Sequence, residues 1–154
     1  MLKNILIVLA LLAISRFIGL PSNFSPLLAF AVFVPRITDK KNLQILLPTF
    51  ILLATNYFLE PVNFFILLSI TMVFILTPLL SMVSKNLVFT SVSSVFIWHL
   101  IVNSSVWIVN GGSMMETFLL AIPFDFKLLI STCLYVAMFY SVEKIYFNIR
   151  TARQ

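Results

Sequence analysis

Between Leu87 and Val109 the chain runs 23 residues without an Asp, Glu, Lys or Arg, close to the roughly 20 that a helix needs to cross a hydrocarbon core of about 30 Å. A stretch of that length satisfies its backbone in lipid only as a helix, which sets the fold class. Helical periodicity places His99, Asn103, Trp107 and Asn110 on one face, at spacings of four, four and three, with Phe96 a turn below. Polar side chains at bilayer depth are costly unless they face a neighbouring helix or a wet cavity, so this stripe is expected to point inward. Two readings stay open: the stripe fastens helices together, or it lines a binding pocket.

The rest of the chain has the same character. At 61% hydrophobic and 10% charged, with a mean hydropathy of +1.10, residues 1–154 read as one transmembrane helical domain surrounded by lipid. The net charge is +5, but the basic residues sit between apolar runs, which is a topology signal and not a nucleic-acid face. No nucleic-acid partner is expected. The single Cys133 lies inside the last apolar run and reads as a small core residue. One His, one Cys and five carboxylates spread along the chain supply no nucleophile with a base, no metal-ligand cluster and no phosphate loop. No enzyme activity, metal or cofactor is expected.

In chain order, the first apolar run, Leu2 to Leu20, has the length of a span, with a cleaved signal peptide as the alternative reading. It places Arg16 about a turn from its outer end, where the guanidinium snorkels or turns inward towards an anion. A turn carrying Asn23 leads to a short second helix, Pro26 to Val34, opened by Ser25-Pro26 and closed by Pro35. The third span, Leu43 to Leu59, is loosened at Pro48 and carries Asn56 near its far end; the fourth is Phe64 to Met82, and the polar-striped run is the fifth. After the Asn110-Gly-Gly-Ser113 break, Ser113 and Glu116 form a capping box for a short interfacial helix, Met114 to Ile122, whose expected role is a lid. Asp125 then caps the last span, Lys127 to Phe147. The expected fold is all-α and integral to the membrane: a six-helix bundle with a short second helix and a short interfacial helix before the last span.

Counting Lys and Arg in the connections orients the bundle in a plasma (inner) membrane. Lys3, Arg36, Lys40, Lys41, Lys85, Lys144, Arg150 and Arg153 fall on one side and only Lys127 on the other, so both termini are expected in the cytoplasm. Arg16, Asn23, Asn56, Asn103, Trp107 and Asn110 then share the outer half of the membrane, with His99 near the midplane, and together they form the expected substrate-binding set. Arg16 and Asn103 are expected to hold a carboxylate or phosphate of the ligand, under Trp107, because no carboxylate of the chain is expected at that depth.

Three segments also carry a resemblance. Arg16 to Phe33, RFIGLPSNFSPLLAFAVF, is similar to the opening of an uncharacterised bacterial six-span membrane family. Asn103 to Trp107, NSSVW, and Ile122 to Phe124, IPF, resemble that family's later elements in the same order. The family is similar in layout to the S components of energy-coupling-factor transporters. The resemblance implies a subunit that captures a small molecule from outside and hands it to energy-coupling membrane and ATPase subunits. The alternative function is a structural multi-span scaffold subunit without a ligand, whose polar residues only hold helices together.

Overall fold

The computed structural model describes Leu12, residues 14–15, 24–59 and 61–151, with side chains as far as Ile145. Most of the predicted first span, including Arg16, and the turn carrying Asn23 lie outside the described residues. The described part is helical throughout, with α1 at Leu27–Ile37, α2 at Lys41–Tyr57, α3 at Phe64–Val83, α4 at Leu87–Asn110 and α5 at Met114–Thr151.

The shortest helix is the centre. All eight side chains from Leu27 to Val34 are buried, as expected of a helix that is apolar all round, and α1 packs against each of the other four. Ala29 and Ala31, both at 0% exposure, let neighbouring backbones come close. The Ser81 hydroxyl of α3 donates to the Val32 carbonyl at 2.6 Å, an interhelical bond of the kind that replaces hydrophobic attraction in lipid. Leu12 belongs to the same core cluster as Leu28, Phe30 and Val34. Pro35 does not close the helix as predicted. The chain stays helical to Ile37, because one proline removes a single donor and the packed surroundings hold the turn.

The longer helices follow their signals closely. Asn63 caps α3, accepting from the Phe65 amide at 2.9 Å, and Asn86 caps α4, accepting from the Phe89 amide at 3.1 Å. The links at 84–86 and 111–113 are short, so α3, α4 and α5 run antiparallel as neighbours. Gly111 and Gly112, at φ of 72° and 86°, make the second link in a backbone region that favours glycine.

The surface is inverted relative to a water-soluble protein. Thr77, Thr90, Ser91, Ser94, Ser131 and Thr132 are buried, while Leu68, Met72, Val88, Phe96, Leu119 and Phe126 are more than half exposed or close to it. Small polar residues at helix interfaces and large apolar ones outside suit a lipid surrounding.

Among the described helices, three are long and apolar enough to cross a membrane, namely α3, α4 and the Met114–Ile145 part of α5; α1 has 11 residues and α2 has 17, and most of the predicted first span lies outside the described residues. One prediction needs correction: among the described residues there is no separate interfacial helix. Ser113 starts a helix as its capping box implies, accepting from the Glu116 amide at 3.4 Å. That helix then continues through Pro123 for 38 residues, about 57 Å. The supposed lid is its first third, and Asp125 sits inside the helix, not at a cap.

Candidate functional site

His99 and Asn103 lie one turn apart on α4. Counting from the glycine link, His99 is eleven residues before Asn110 and Asp125 is eleven after Met114, so in antiparallel neighbours these two are level, with Asn103 one turn nearer the link. The structure joins them. The Asp125 carboxylate accepts at Oδ2 from His99 Nδ1 at 2.7 Å and from Asn103 Nδ2 at 2.8 Å. Asn103 Nδ2 and His99 Nδ1 are 3.1 Å apart, but a ring nitrogen that donates to the carboxylate cannot also accept from the amide. The arrangement is therefore an acceptor gathering two donors, not a ring of three bonds.

The cluster is largely dry. The Asp125 side chain is 9% exposed and that of His99 is 22%, with the Phe118 ring standing edge-on to the imidazole at 5.1 Å between centroids. His99 is twelve residues from the start of α4 and eleven from its end, which places the cluster near the middle of a bilayer spanned by that helix. A carboxylate there loses its hydration, and the hydrogen bonds it accepts make the burial bearable. Among the described residues, Asp125 Oδ1 and His99 Nε2 take part in no hydrogen bond. Both atoms stay available to a further partner.

The other predicted site residues are not gathered here. The Trp107 indole donates to the Gly112 carbonyl at 3.1 Å, bracing the link between α4 and α5. Asn110 is exposed at the end of α4, and Asn56 is half-buried in the last turn of α2, where its backbone carbonyl accepts from the Leu59 amide at 3.3 Å. Arg16 and Asn23 lie outside the described residues. Phe96, expected on the inward stripe, is 60% exposed. Asp125, the hub of the cluster, was missed because Pro123 reads as a helix stop; the equal spacing about the glycine link is the signal that finds it.

Two cavities among the described residues lie at the opposite end of the bundle, where α1, α3, α4 and α5 meet. One, of about 410 Å³, is lined by Arg36, Lys85, Asn86, Leu87, Val136 and Tyr140, among others. The second, of about 320 Å³, shares Arg36, Lys85 and Leu87 with it and adds Lys41 and Gln44. Arg36 is held there by Glu143, with 3.0 Å between Nε and Oε2, and lies over the Tyr140 ring at 5.5 Å.

A bundle of apolar, outward-greasy helices with one polar cluster inside defines a helical membrane protein. More particularly, the chain belongs to a family of unknown function (DUF6580), whose model matches residues 2–152. No curated protein and no solved structure matches it.

Proposed function

We propose that this chain is a substrate-binding membrane subunit of S-component type, which crosses the membrane six times with both termini in the cytoplasm and takes a small molecule from the outer side for uptake. The observation that carries the reading is the ionisable pair inside the bundle, His99 with Asp125, whose Oδ1 has no hydrogen bond among the described residues. Ionisable groups at membrane depth are expensive and mark ligand or ion paths. A ligand amine, hydroxyl or ring N–H would give Oδ1 its missing donor, so the substrate class is a small molecule presenting a donor. This replaces the anion expected from the sequence, because a carboxylate of the chain, Asp125, already stands beside Asn103 and accepts from its amide. Charge placement supports the orientation: Lys127 lies inside α5 and not in an outer connection, so the outer links of the described helices carry no Lys or Arg. Energy would come from partner membrane and ATPase subunits.

Mass spectrometry of small molecules co-purifying in mild detergent tests this. A compound that accompanies the wild type and is lost from Asp125→Asn at equal protein level supports the reading, and equal retention by both overturns it. One observation favours a second reading, that of a scaffold subunit. The three cluster groups bond one another across α4 and α5, which is what a fastening between helices does. Under it, no compound accompanies the wild type and Asp125→Asn only lowers protein levels.

A further inference from the structure

We propose that the two cavities at the Arg36 and Lys85 end of the bundle form one phosphate-binding site, built for the headgroup of an anionic glycerophospholipid. Independently of the substrate reading, the argument rests on how charge and apolar surface are distributed. Arg36 and Lys85 line both cavities, and Lys41 lines the second, against a single lining carboxylate, Asp39. Arg36 is committed on one edge to Glu143, whereas the Lys85 ammonium has no ion pair among the described residues. Leu87 and Val88, the first two residues of α4, line the first cavity. Their amides precede the Phe89 amide that Asn86 caps, so they are N–H groups without an intrahelical partner at the positive end of a 24-residue helix. A phosphate placed there meets two cationic side chains and a helix start.

The apolar part of the cavity decides what carries the phosphate. Besides Arg36 and Lys85, the first cavity is lined along α4 and α5 by Leu87, Val88, Val136 and Ala137, apolar side chains that suit an acyl chain and give nothing to a soluble phosphate. In the second cavity, Gln44 is 5% exposed. Its amide nitrogen donates to the Thr38 carbonyl while its Oε1 is buried without a partner, an acceptor that a headgroup hydroxyl would satisfy. Phosphate, hydroxyl and acyl chain together describe phosphatidylglycerol.

The test is native mass spectrometry of the full chain released from bilayers of phosphatidylglycerol and phosphatidylcholine in equal amounts. Wild type is expected to retain phosphatidylglycerol preferentially. Lys85→Gln should lower that retention about tenfold, the size of one charge-assisted hydrogen bond. Lys85→Arg should preserve it, and Lys40→Gln, a charge outside both cavities, should leave it unchanged. Equal retention of the two lipids by wild type overturns the proposal, as does an equal loss in Lys40→Gln, which would mean that only general surface charge attracts the lipid. Inorganic phosphate added to the released protein separates the sources: continued lipid retention supports a lipid site, while displacement by phosphate alone overturns the lipid assignment.

Discussion

Asp125 shows what a single residue does when its neighbours decide its role. Taken alone, an Asp two residues after a proline is a good helix cap, and that is how the sequence reads. With the helix continuing through Pro123, the same carboxylate faces α4 and collects His99 and Asn103. Removing it strands two polar groups in a dry interface. Asp125→Ala is expected to cost about 1–3 kcal/mol of unfolding free energy in detergent. In a double-mutant cycle with His99→Ala the coupling should be about 1 kcal/mol, and a cycle with no coupling would separate the two side chains energetically. Trp107 is a milder case. Its indole bond to Gly112 predicts that Trp107→Phe costs about 0.5–1.5 kcal/mol, read as a lower thermal midpoint. The helical stripe from His99 to Asn110 was legible because 3.6-residue spacing needs no knowledge of neighbours, but its meaning was not, because the hub lies on another helix.

At the scale of elements, the sequence predicted α3 and α4 to within a residue or two, since Asn63 and Asn86 supply caps and long apolar runs supply length. It failed at the two prolines read as helix ends, Pro35 and Pro123, which both lie inside helices, whereas Pro48, read as lying within a span, does lie inside α2. In water a proline ends a helix by exposing a better alternative for the freed carbonyl. Inside a packed apolar bundle that alternative is missing and the helix continues. The interfaces between elements depend on small hydroxyl residues, and not all of these make bonds. The hydroxyls of Thr77 on α3, Ser94 on α4 and Thr132 on α5 are buried without a hydrogen-bond partner among the described residues. An unpaired buried hydroxyl stabilises nothing, so Thr77→Val, close in volume, and Ser94→Ala are expected to be neutral or to raise stability by about 1 kcal/mol. Ser81→Ala, which removes the bond to Val32, should lower it by about as much. Thermal unfolding in one detergent compares all three, and the opposite ranking would show that Thr77 and Ser94 are bonded.

For the whole molecule the open quantity is depth, and Lys127 reports it. If the first third of α5 were a separate lid, Lys127 would begin the last span at the outer surface and meet water. In the continuous helix it is two residues beyond Asp125, which is level with His99 at the middle of α4. That puts it about 20 Å along α5 from its start. Its side chain is exposed with the ammonium over the Phe124 ring at 5.6 Å, an arrangement in which an aromatic face replaces part of the lost hydration. Two residues apart, Asp125 and Lys127 point to different sides of the helix, so the carboxylate turned inward leaves the lysine on the outside of the bundle. In a background where Cys133 is replaced by Ser, single cysteines at Asn63 and Ser113 are expected to react with a membrane-impermeant maleimide added outside intact cells. Cysteines at Lys41 and Lys85 should react only after permeabilisation. A cysteine at Lys127 should resist the reagent under both conditions, because thiolate formation and aqueous reagent are both suppressed in the hydrocarbon core. Rapid external labelling at Lys127, matching that at Ser113, would break α5 at Pro123, lift Asp125 away from His99 and return the Met114 to Phe124 segment to the membrane surface.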